Sequence, residues 1–172
     1  LESIEDFEFL MTMLTLGGGV GFSVERSKVH AFPKVKQDVC ISHQLTKDAD
    51  IIVPDSRNGW VHLLRSTLES FFLTGRSFTY STILVRAKGE LLKTFGGTAS
   101  GPQALIDGIT DISSLLVSRA GKRIRSVDAL DIANIIGRLV VAGSSRRSSE
   151  IAIGDPDDVL FLRSKNWERG HI

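Results

Sequence analysis

The sequence predicts an α/β protein whose functional loops gather at one end of a sheet or barrel. Three observations predict it: long apolar runs at helical spacing, short β-branched and aromatic runs between them, and small-residue turns at the junctions. Those turns lie at Gly17 to Gly21, Gly96 to Gly101 and Ala142 to Ser149. With 172 residues the chain has the length of one ordinary domain and can bury a sizeable core.

Ile4, Phe7, Met11 and Leu14 share a helical face, and Glu2, Glu5, Asp6 and Glu8 crowd the start, where the helix dipole favours acids. A helix is therefore expected over Ile4 to Leu16. It runs into Gly17, Gly18, Gly19, Val20 and Gly21, after which the alternation of Val20, Phe22 and Val24 marks a half-buried strand. The order is helix, glycines, strand, which rules out the strand, glycines, helix order of a dinucleotide-binding loop. Three successive glycines let a ligand approach the backbone closely, and they suit a tight turn under a packed helix equally well.

Between His30 and Asp55 the chain is polar, broken by Pro33 and Pro54, with strand character only over Asp38 to Ile41 and Ile51 to Val53. A strong apolar stripe follows over Ser56 to Leu73, made by Trp60, Leu63, Leu64, Leu68, Phe71 and Phe72, with Ser56 as N-cap. This helix is either ordinary core or the face of a helix-to-helix contact. Phe78 to Val85 reads as a strand. A helix then opens at Ser100 or Gly101 with Pro102 in its first turn, carries Leu105, Ile109, Ile112 and Leu116, and is stopped by Gly121. Its N-terminus suits either a phosphate or simple capping. Lys122 to Arg125 form a basic connector, solvated or set against helix carbonyls. From Ser126 a further helix delivers the chain to Val140, and Ile151 to Ile153 is strand-like. Asp155 is expected to cap a last helix with Pro156 in its first turn, so the acidic run Asp155 to Asp158 reads as capping and no metal site is expected.

Basic and acidic residues nearly cancel, 21 against 20, so a broad nucleic-acid or membrane surface is not expected and anion recognition has to be local. No apolar run reaches the ~20 residues that span a bilayer, and the single Cys40 offers neither a disulfide nor a thiol cluster. A soluble cytoplasmic protein is expected. No Ser, His and carboxylate set forms a triad. Binding is better supported than catalysis, and the segment Gly143, Ser144, Ser145, Arg146, Arg147 and Ser148 is the best binding candidate, its hydroxyls flanking two guanidinium forks. The same residues would also serve as a solvated connection.

Taken in order, the motifs LGGGVGFSVERSKV, VPDSRNGWV, FGGTASGP, AGKRIRSVDALDIANIIGRLVVAG and SSRRSSEIAIGDPDD resemble the central part of monomeric, adenosylcobalamin-dependent (class II) ribonucleotide reductase. The resemblance runs from about Leu14 to Leu162. It implies a segment of the ten-stranded α/β barrel of the reductase type, with an inserted effector-binding helical region. It also implies one segment over 1–172, with about 30–80 as the insertion and 81–172 as barrel strands and helices bearing a specificity loop.

In such enzymes a cysteine thiyl radical, generated from the cobalamin, replaces the ribonucleotide's 2′-hydroxyl by hydrogen. The resemblance places Gly17, Gly18, Gly19 and Gly21 beside the ribonucleotide substrate. Gly143 to Ser148 become the specificity loop, with Arg146 as the best match to its arginine. Arg26, Lys28, Asp55, Arg57 and Trp60 fall in the region that binds a deoxynucleotide effector. Adenosylcobalamin and a thioredoxin-type reductant belong to the parent enzyme. Its radical-site motif of asparagine, cysteine and glutamate and its redox cysteines lie outside these residues, and Cys40 matches none of them, so no catalytic residue is assigned here. The chain departs from the family where Ser144 and Ser145 replace the usual asparagine and valine, and where Val85, Arg86 and Ala87 replace Ile-Arg-Pro. The alternative reading is a non-catalytic nucleotide-binding or regulatory α/β module.

Overall fold

The computed structural model of the chain describes residues 1–91, 98–143 and 147–165. Helix α1 (Ile4–Thr15) starts at a capping box in which the Ser3 hydroxyl accepts from the Asp6 backbone N–H while the Asp6 carboxylate accepts from that of Ser3. Its buried face is Ile4, Phe7, Leu10, Met11 and Leu14. Strand β1 (Gly19–Ser23) follows the glycine turn, and a four-residue helix α2 (Arg26–Val29) comes next, too short to leave a periodic signal in the sequence.

Strands β2 (Ile41–His43) and β3 (Ile51–Ile52) flank β4 (Phe78–Ser81) in a parallel sheet of order β2-β4-β3. The expected strand over Asp38 to Ile41 is displaced towards His43. Asp38 sits in the left-handed region at φ 57, and the Cys40 N–H donates to the Ser77 hydroxyl, so pairing starts only at Ile41. The strand expected over Phe78 to Val85 stops at Ser81, because the Val85 N–H turns back to the Thr82 carbonyl at 2.9 Å. Helix α3 (Arg57–Glu69) is capped by Ser56, whose hydroxyl accepts from Gly59 N at 3.0 Å. It does not stay α-helical to Leu73. Ser70–Thr74 widen into a π-helical turn ended by Gly75 at φ 68.

Helix α4 (Gln103–Ser118) begins two or three residues later than expected, with Pro102 in the cap position and Gly101 at φ 79. Gly121, at φ 74, donates its N–H to the Val35 carbonyl, which docks the connector onto the loop after α2. In that connector Arg123 donates to the carbonyls of His30 and Phe32 in the loop after α2, and not to helix carbonyls. Helix α5 (Ser126–Gly143) buries Leu130, Ile132, Ile136, Leu139 and Val140. Strand β5 (Ser149–Ile153) pairs in parallel with β1, Gly19 opposite Ser149 and Ser23 opposite Ile153.

A correction applies to helix α6 (Val159–Arg163). Asp158, and not Asp155, is its cap, accepting from Leu160 N and Phe161 N at 3.1 Å each. Asp155 and Asp157 are turned instead to Arg26. Helices α1, α3, α4 and α5 pack on one another around one apolar core, with Phe7, Phe32 and Phe72 stacked at ring separations of 5.7 and 4.9 Å. Among the described residues no helix is long and apolar enough to cross a membrane.

Candidate functional site

The glycine turn divides into two jobs. Gly17, at φ 82, closes α1 by donating to the Leu14 carbonyl at 2.9 Å, and Gly18 donates to that of Met13 at 3.0 Å. A Cβ on Gly18 would sit 3.1 Å from the Met13 carbonyl oxygen. Those two glycines are needed by the turn itself. Gly19 and Gly21 lie on the exposed face of β1, and a Cβ on Gly19 would meet the Ser149 hydroxyl at 3.0 Å.

The parallel register sets Gly19 beside Ser149, Gly21 beside Ile151 and Ser23 beside Ile153. One face of the β1–β5 pair is therefore bare backbone next to Ile151 and Ile153, which stay 68% and 59% exposed. The opposite face, with Phe22 and Ala152, packs on the helices. The segment expected to grip a nucleotide joins this open face directly. Gly143 is the last residue of α5; Ser144, Ser145 and Arg146 lie outside the described residues; Arg147 is exposed, Ser148 half-buried, and β5 starts one residue later. The β1–β5 pairing thus brings the glycine strand and the exit of the serine and arginine segment together.

The residues expected in the effector region fall into separate groups. Arg26 pairs with Asp157 and, at 3.3 Å, with Asp155, and Lys28 reaches Glu2 at 3.2 Å. The hydrogen bond that the guanidinium donates to Asp157 raises its already high pKa and holds the Asp157 carboxyl below its ordinary range. Asp55 receives the guanidinium of Arg86, tying the turn before α3 to the segment after β4. Arg57 is exposed in the first turn of α3, and Trp60 is half-buried against the core.

Sequence reasoning missed two features. The first is an open groove of about 480 Å³ between α4 and α5, lined by Asp107, Thr110, Asp111, Arg138 and Ala142, in which Arg138 and Asp111 form an ion pair. The second is Glu150 on β5, half-buried, with Oε1 lacking a hydrogen-bond partner among the described residues. Burial pushes its carboxyl up to about 7, against the opposing pull of Lys165. The signal lay in the alternation of Ser149, Glu150, Ile151, Ala152 and Ile153, which puts Glu150 on the same side as Ala152. Among the described residues no three His, Cys, Asp or Glu side chains converge as metal ligands.

Fold and surface together define a mixed α/β chain of parallel sheets, open on a glycine-bearing sheet face beside a cationic connection. A family model described as B12-dependent ribonucleotide reductase, insertion domain, matches residues 26–116, more than half of the chain, and the chain belongs to that family. It is 39% identical, over 92% of its own length, to an adenosylcobalamin-dependent ribonucleoside-triphosphate reductase of Lactobacillus delbrueckii subsp. bulgaricus, and 38% identical over the same share to one of Lactobacillus leichmannii. In both cases it spans 25% of the relative, so the chain covers about a quarter of the length of the curated proteins it matches. A crystal structure of a B12-dependent (class II) ribonucleotide reductase superposes on 98% of the chain and on 27% of the solved protein, with a TM-score of 0.82 and 31% identity.

Proposed function

We propose that this chain forms the substrate-facing and allosteric part of a ribonucleotide reductase whose parent converts ribonucleotides to 2′-deoxyribonucleotides for DNA synthesis. The observation that carries this reading is the β1–β5 register, which sets Gly19 and Gly21 beside the exit of the segment containing Arg146 and Arg147. A nucleotide lying on that face would meet bare backbone on one strand and the cationic segment at the other's start. In this reading Gly143 to Ser148 are the specificity loop. β1 and β5 are two strands of the parent's ten-stranded barrel, and the inserted effector region with Asp55, Arg57 and Trp60, expected over about 30–80, is taken to extend over the 26–116 span of the insertion-domain match, with the remainder up to 172 assigned to the barrel.

Both Lactobacillus relatives are named as adenosylcobalamin-dependent, and the parent is proposed to use that cofactor to start its radical. The groove between α4 and α5 does not fit a cobalamin: at about 480 Å³, with two aspartates and an arginine, it is too small and too charged to hold a corrin. The cofactor, the thiyl cysteine and a thioredoxin-type reductant are thus assigned to the remainder of the parent, and this chain's share is binding and selection. Its partners are the ribonucleotide substrate and a deoxynucleotide effector.

The test is Arg146→Ala in the full-length enzyme. Substrate preference is measured as the ratio of kcat/KM for two ribonucleoside triphosphates, with and without each common deoxynucleoside triphosphate. The shift that each effector causes should shrink by about tenfold, the usual scale of an allosteric coupling. Unchanged shifts would refute the reading.

A further inference from the structure

Glu150 occupies a place that packing alone would give to an apolar residue. It is the first inward-facing position after the segment that joins α5 to β5, and its carboxylate lies against bare helix backbone at Gly137. A Cβ at residue 137 would stand 2.8 Å from Oε1, 3.1 Å from Cδ and 3.2 Å from Oε2. The glycine therefore makes a notch that the carboxylate fills. Oε1 is buried there with no hydrogen-bond partner among the described residues, a costly arrangement that a valine or leucine would avoid.

The charges around this notch are few. Asp131 on α5 and Glu150 on β5 both feel Lys165, which follows α6, while Arg138, next to Gly137, is held by Asp111. The neighbouring strand β1 brings only Gly, Val, Phe and Ser. Burial favours the neutral carboxyl in the notch, and the charge of Lys165 favours the ionised one. Ser149 precedes Glu150 directly and lies opposite Gly19, so Glu150 adjoins both the exit of the Gly143 to Ser148 segment and the open sheet face.

We propose that Glu150 is a positioning residue: seated in the Gly137 notch, it locks the strand that leaves the specificity segment onto the helix that enters it, and so sets how strongly an effector redirects substrate choice. The proposal rests on the functional reading above.

The experiment uses the full-length reductase carrying Glu150→Gln, Gly137→Ala, Gly137→Ala with Glu150→Asp, or Arg146→Ala. The readout is the effector-induced change in the kcat/KM ratio for two ribonucleoside triphosphates, tried with dATP, dGTP, dCTP and dTTP between pH 6 and 8. A general loss of activity cancels in that ratio. Gly137→Ala should weaken the effector response by about three- to tenfold. Shortening the acid by one methylene in the double variant should recover at least half of it. The wild-type response should change with pH around 7, and Glu150→Gln, nearly the same shape but unable to ionise, should respond equally across the range. Wild-type responses from Gly137→Ala, or an unaltered pH course in Glu150→Gln, together with an impaired Arg146→Ala, would overturn this proposal and leave the loop reading standing. A wild-type response from Arg146→Ala would remove the loop reading and this proposal with it.

Discussion

Replacing Gly108 by alanine tests whether α4 and α5 approach as closely as their residues indicate. Gly108 faces Leu139, a side chain only 2% exposed, and a Cβ at 108 would fall 2.5 Å from Leu139 Cδ1, 3.3 Å from Cγ and 3.4 Å from Cβ. The whole leucine has to shift, since rotating its tip relieves only the first contact. Overpacking of this kind costs about 1–3 kcal/mol, while removing a glycine from a helix interior returns about 1 kcal/mol. The net expectation is a loss of about 1 kcal/mol. With a urea slope of about 2 kcal/mol/M, the unfolding midpoint followed by circular dichroism falls by roughly 0.5 M. Leu139→Ala alone should cost about 2–5 kcal/mol, and less when combined with Gly108→Ala, where the new methyl fills part of the cavity. A midpoint that rises in Gly108→Ala, as it would for an exposed helical glycine, would refute the close approach.

Two further outcomes follow from the ion pairs and caps. Asp158 accepts from two α6 amides and from the buried Ser126 hydroxyl, so Asp158→Ala should cost about 1–2 kcal/mol in urea unfolding. The Ser126 hydrogen bond holds the Asp158 carboxyl below its ordinary 3.8. The folded chain thus binds fewer protons there than the unfolded one, and this stability is full above pH 3.8 and lost as the pH falls below it. Asp158→Asn, which keeps a capping oxygen, should flatten that acid limb, and an unchanged limb would contradict the assignment. Arg65 gathers Glu5, Glu8 and Glu69 at 3.1, 2.5 and 2.8 Å, joining α1 to α3 at the surface. Arg65→Met should lower the urea midpoint slightly at low ionic strength, and the difference should vanish by about 1 M NaCl, where the screening length is about 3 Å.

Much of this architecture was legible because long helices repeat their signal. Ile132, Ile136, Leu139 and Val140 mark one face of α5, and Ser56 followed by Leu63, Leu64 and Leu68 marks the start and side of α3. Strand β3 lies where Ile51 to Val53 read as strand-like, whereas β2 carries too little alternation in its three residues to be placed, and Asp38 cuts off its expected start by a backbone angle that no pattern announces. The misplaced cap has a similar cause. Asp155, Asp157 and Asp158 are all chemically able to cap α6, and the choice is made by Arg26, about 130 residues away, which engages two of them. The candidate site was legible as two motifs, the glycines and the serine and arginine segment, but their adjacency depends on a parallel register that no local sequence contains. Glu150 was passed over although the alternation of β5 carries its inward direction, because its notch depends on a glycine thirteen positions earlier on another element.

The pairing of Gly19 with Ser149 also constrains the order of assembly on the ribosome. The β2-β4-β3 sheet needs only residues 41 to 81 and can close while synthesis continues, with Ile41 meeting Phe78 and Ile51 meeting Tyr80. Strand β1, made far earlier, has to wait with its hydrogen-bonding edge open until about 130 further residues have emerged, a long-range closure of the slow kind. Its glycines then have a second use: a strand of Gly19, Val20 and Gly21 offers a nascent chain little side chain to stick by, and so carries a low risk of pairing wrongly before β5 arrives.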